Sequence, residues 1–176
     1  SGPRQLGAWT AELLAVPVGL LEVYGVGRRT VDARLREQLI VAVAEANGVR
    51  STAWVHGAWL DFLGARDPED VLGPLFDYAT ACAEAGVPLD TTMLEASFPA
   101  AVVRSVRATV AVGQLSSAVG GTADELWNIL RDRSGGPRDA VQAAMAFGLV
   151  FPLVAPTWAF AGMLRVVTRL APPLPT

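Results

Sequence analysis

Apolar residues recur in this chain at intervals of three and four almost from end to end, and nowhere alternate long enough to make a half-buried strand. That pattern restricts the chain to an all-α fold. The clearest case is "VDARLREQLIVAVAEANG", in which Val31, Leu35, Leu39, Ala42 or Val43, and Ala46 share one face. Thr30 offers an N-cap, Asp32 a negative charge in the first turn and Gly48 a stop, so the spacing predicts a helix over 30–47. Ser51 then caps a helix ending near Leu63, with Gly64 behind it. A link of about three residues leaves such helices little choice but to pack as a hairpin.

The remaining segments extend the pattern. "AWTAELLAVPVGLLEVYG" predicts a helix kinked or broken at Pro17, because proline lacks the amide and crowds the preceding turn. Asp67 as N-cap and Pro68 at the first helical position open another helix, which continues to Gly86, and "VPLDTT" reads as a turn. A long helix runs from Ser97 or Phe98 and Pro99 to Gly121, followed by a shorter capped one over "TADELWNILRDR". After a break at 135–137, residues 140–164 carry no charge, a length that a membrane helix requires. Gly148, Pro152, Pro156 and Gly162 divide that stretch, so the expectation is two short helices, buried or facing another subunit, rather than a membrane span.

A length of 176 residues suits one domain with a substantial core. The chain is 52% hydrophobic and 18% charged, with a mean hydropathy of +0.37, apolar enough that some surface is expected to meet another subunit. With a net charge of −3 and scattered basic residues, it lacks the electrostatic footprint of a nucleic-acid binder. All 14 basic residues are arginine, a bias that GC-rich bacterial genomes impose, and the lack of lysine excludes Schiff-base and P-loop lysine chemistry. Cys82 is the only cysteine, so a C-x-x-C pair, an intrachain disulfide and a thiolate metal cluster are excluded. No signal peptide pattern opens the sequence, and the expected location is cytoplasmic.

Chemistry concentrates around "NGVRSTAWVHG", which holds the only histidine, His56. Glu37 lies twelve residues before Val49, Thr52 three after it, and His56 four further on. This spacing resembles the carboxymuconolactone decarboxylase and alkylhydroperoxidase D (AhpD-like) family, whose redox members carry a glutamate and then C-x-x-C-x-x-x-H on two consecutive helices. Here the glutamate and histidine match, while Val49 and Thr52 stand at the cysteine positions. "LFDYATACAEAGVPLD" and "SFPAAVVRSVRATVAVGQL" are similar to the family's later helices, so the resemblance covers residues 30–120 and leaves an extension over 137–172.

The resemblance implies an AhpD-like orthogonal helical bundle, a single domain over 1–176, assembled as a trimer or hexamer. It also implies that peroxidase and disulfide-reductase activity is lost with the thiols. The branch named for the decarboxylase works without a cysteine pair, metal or organic cofactor, so none of these is expected. Catalysis would then be proton transfer at His56 on a small carbonyl or carboxylate compound, by a lyase or isomerase. Reversal across the short turn brings Glu37 and His56 to similar depth, where the carboxylate can accept the ring N–H and fix its tautomer. Thr52 and Trp59 share the helical face of His56 and are the expected substrate-binding residues, Trp59 either lining a pocket or shielding the imidazole. The alternative is a non-catalytic oligomer of the same fold, a scaffold, ligand-binding or partner-binding module in which His56 is a hydrogen-bonded core residue.

Secondary candidates are Cys82 as a buried structural thiol, Glu45 and Asp61 as further carboxylates, "GVGRR" at 25–29 as an anion rest, and Arg104 with Arg107 as a carboxylate clamp or solvated face.

Overall fold

The computed structural model describes residues 31–64, 72–131 and 136–170. Among them are six helices and no strand: α1 (Ala33–Ala46), α2 (Arg50–Leu63), α3 (Gly73–Ala85), α4 (Thr92–Glu95), α5 (Ala100–Arg131) and α6 (Pro137–Leu170). The all-α expectation holds. Pro17, Thr30, the Asp67–Pro68 start and the 25–29 loop lie outside the described residues.

The N-cap of helix α1 is Asp32, two residues later than the Thr30 that its periodicity suggests. Its carboxylate accepts from the Arg34 amide and, at 3.3 Å, from the Leu35 amide, two donors that the helix cannot satisfy internally. At the other end Gly48, with φ +70°, turns the chain into the left-handed region. The Gly48 amide donates to the Glu45 carbonyl at 2.9 Å and the Val49 amide to the Ala44 carbonyl at 2.9 Å, the two bonds of a Schellman motif. Val49, the apolar residue that such a motif buries, is also the N-cap of α2. Ser51 is therefore inside α2 and does not cap it; its amide instead donates to Asp124 Oδ2 of α5 at 3.2 Å.

Helix α1 packs against α2, α3 and α5, and α6 lies across α2 and α5. The main core forms where the apolar faces of α1, α3 and α5 meet, around Leu39, Ile40, Val43, Leu75, Cys82 and Val106, all fully buried. Burying each large aliphatic side chain contributes about 1.5–3 kcal/mol. A smaller cluster of Ala58, Ala161 and Leu164, with Val55 and Trp59 against it, joins α2 to α6.

Two expected boundaries are corrected. Helix α5 runs unbroken for 32 residues through Gly120 and Gly121, where a break between two helices was expected. The glycines serve a close crossing: a Cβ on Gly120 would collide with Thr52 Oγ1 and lie 3.2 Å from Val49 Cγ1. The "VPLDTT" turn leads into the single turn α4, which begins at its last residue, with the Asp90 carboxylate accepting from the Thr92 amide at 3.0 Å and hydroxyl at 2.8 Å.

Helix α6 bends by 60° between Val141–Pro152 and Val154–Leu170, the place where a division was expected. The missing amides of Pro152 and Pro156 and the clash of their rings cause it. No single helix among the described residues is long and apolar enough to cross a membrane, although the two limbs of α6 together match one in length and composition.

Candidate functional site

Glu37 lies on the α1 face turned toward α2, only 2% exposed. A carboxylate so far from water must be paired, because burial penalises its charge. Two groups meet it: Arg36 Nε donates to Oε1 at 2.9 Å, and His56 Nδ1 lies 2.6 Å from Oε2. With an ionised carboxylate, which only accepts, and a neutral ring, this contact places the proton on Nδ1 and leaves Nε2 a lone-pair acceptor. No described residue hydrogen-bonds Nε2.

The hairpin thus brings together the two residues that the spacing paired across the turn. Arg36 is the member that sequence reasoning missed. Neighbours in sequence point about 100° apart on a helix and are not read as partners. Here the Arg36 side chain, itself 8% exposed, reaches back along α1 to its neighbour.

His56 also lines a cavity of about 270 Å³ between α2, α5 and α6. Thr52 lies on its wall, buried, with its hydroxyl donating to the Ser116 carbonyl at 3.0 Å. Beside it Ser51 lines the same cavity, and the Ser51 hydroxyl is buried with no hydrogen-bond partner among the described residues. Gly120 of α5 forms the close wall; Val154, Thr157 and Trp158 come from the bend of α6.

Trp59 is corrected: it does not line this cavity. It packs between α2 and α6, edge-on to Phe62 with ring centroids 6.2 Å apart and tilted against Phe160 at 5.3 Å. The aromatic wall is Trp158, whose position depends on a bend that apolar periodicity does not reveal.

The other candidates separate from this site. Cys82 is buried in the main core, where desolvation pushes its thiol up; hydrogen bonds to the Leu89 backbone and Tyr78, and the Arg107 charge, oppose that shift. Asp61 pairs with Arg165 Nη1 at 3.2 Å, and Glu45 is exposed. Arg104 is exposed and Arg107 half-buried on α5; neither lines the His56 cavity. A wider hollow of about 530 Å³ lies by Asn47, Asp124, Glu125 and Asn128, but no described histidine, cysteine, serine or threonine lines it. Among the described residues no three His, Cys, Asp or Glu side chains gather as a metal site needs. Compared with models of known protein families, with curated proteins and with solved structures, the chain matches none.

Proposed function

We propose that this chain is a cofactor-independent acid/base enzyme, a lyase or isomerase acting on a small carbonyl or carboxylate compound, with His56 as the proton carrier and Glu37 as its positioning residue. The observation that carries the reading is the 2.6 Å contact of Nδ1 with a buried carboxylate, on a ring that also lines a cavity. A histidine held by one nitrogen presents the other in a fixed direction and tautomer, as a general base requires. Glu37 then stabilises the imidazolium that forms when Nε2 takes a proton from substrate carbon, while Arg36 Nε donates to the other carboxylate oxygen.

The same reading makes the chain a divergent member of the carboxymuconolactone decarboxylase and AhpD-like family. In support, Val49 and Thr52, at the positions of the family's cysteines, stand one turn apart where α2 crosses α5 beside His56. Neither side chain can form a disulfide, so dithiol peroxidase chemistry is not open to this chain.

A second reading, a partner-binding or scaffold module, is favoured by the exposed apolar residues of α6, among them Leu149 and Leu170. The discriminating experiment is a screen of small carbonyl compounds for proton exchange at the α-carbon in D₂O, and of β-keto acids for decarboxylation, with the parent and His56→Ala. Turnover that disappears in His56→Ala supports the enzyme; equal behaviour of the two proteins overturns it.

A further inference from the structure

The cavity chemistry narrows the substrate, given the proton-transfer reading of His56. Of the eleven described residues that line it, His56 is the only one that can carry a charge. The rest of the wall is aliphatic or aromatic, apart from hydroxyl groups and the Gly120 backbone. Behind it, the Arg36 and Glu37 charges offset each other, so with a neutral imidazole the site presents no net charge. A carboxylate entering here would lose its hydration and gain no cation. An uncharged carbonyl compound would lose little and gain apolar contact. The volume, that of about nine waters in the liquid, suits a single-ring compound.

We propose that the site takes an uncharged cyclic ketone or enone and moves a proton along its carbon skeleton, with Ser51 Oγ donating to the carbonyl oxygen. The balance is closed within the site. His56 Nε2 removes the α-proton; the C–H bond breaks, an N–H bond forms, and the electron pair moves through the new C=C bond onto oxygen. The enolate oxygen is met by the Ser51 O–H, and the imidazolium by Glu37. Return of the proton to the α-carbon gives exchange, and to the γ-carbon of an enone a 1,3-shift, with no oxidant, reductant or leaving group. Ser51 is singled out because its buried hydroxyl has no hydrogen-bond partner among the described residues, whereas the Thr52 hydroxyl donates to the Ser116 carbonyl. Donors placed for the developing charge act on the transition state more than on the ground state.

The test follows α-proton exchange of cyclohexanone in D₂O by NMR, with cyclohexanecarboxylate as competitor and acetoacetate decarboxylation as a parallel assay. The parent is expected to accelerate exchange, His56→Ala to return it to the buffer rate, and Ser51→Ala to lower it about 100-fold without lowering Tm, since no bond within the fold is lost. A tenfold excess of cyclohexanecarboxylate is expected to leave the rate unchanged. Exchange at the parent rate in Ser51→Ala, inhibition by the carboxylate, or His56-dependent loss of acetoacetate without ketone exchange overturns this inference and leaves the His56 base standing. Equal rates in parent and His56→Ala remove both.

Discussion

Glu37 is the residue on which the site's geometry turns, because its buried carboxylate meets both Arg36 and His56. Removing the Arg36 guanidinium leaves His56 as the one hydrogen-bond partner of Glu37 among the described residues, and a hydrogen bond to a charged group contributes about 1.5–3 kcal/mol. Arg36→Ala is therefore expected to lower unfolding stability by that amount in a urea titration; a change within error would show the ion pair to be inert. At the surface, the Thr92 hydroxyl and amide lower the Asp90 pKa. A carboxyl depressed in the folded state contributes stability above its unfolded pKa and loses it as pH falls through the folded one. Thr92→Ala should raise the Asp90 value toward the ordinary carboxylate range in an NMR titration, and an unmoved value would contradict this. Glu37, His56 and Thr52 were legible in the sequence because one turn fixes their register. Arg36 and Ser51 were not, since whether a side chain finds a partner is decided by neighbours far away in sequence.

At the scale of elements, the crossing of α2 over α5 is held by absence of side chain at Gly120. Gly120→Ala would improve helix propensity by about 1 kcal/mol, yet the new methyl would press on Thr52 Oγ1, Ser51 Oγ and Val49 Cγ1 in a packed interface. Overpacking of this kind costs about 1–3 kcal/mol. The expected net result is a lower Tm together with a disturbed cavity wall, and a raised Tm would show that the crossing has slack. This glycine also explains why the sequence misled about α5. Paired glycines signal a helix end when they face water, but here Gly120 is buried against α2. The hairpin, in contrast, followed from the Gly48 stop and the short link alone.

For the molecule as a whole, the exposed apolar surface of α6 calls for a partner. Val141, Met145 and Leu149 follow one another at four-residue spacing, and Met163, Val166, Val167 and Leu170 extend the exposure past the bend. Surfaces of this kind mark interaction sites. Where a second copy of the chain is the partner, as the proposed family membership implies, light scattering gives a multiple of 18.5 kDa that Met145→Glu with Leu149→Glu reduces. A monomeric parent would contradict it. Composition already signalled this excess, but the cavity beneath α6 was hidden from the sequence. Its lining is drawn from three helices, and Trp158 reaches it only through the bend at Pro152 and Pro156.

The central claim is that Glu37 holds His56 with Nδ1 protonated and Nε2 open to the cavity. Because this is the chain's only histidine, a long-range ¹H–¹⁵N correlation spectrum of the neutral ring reports on it without ambiguity. The account predicts the Nδ1–H tautomer in the parent, lost in Glu37→Leu, and an Nε2 shift on adding cyclohexanone. An Nε2–H tautomer in the parent, or a ring indifferent to Glu37, would contradict it.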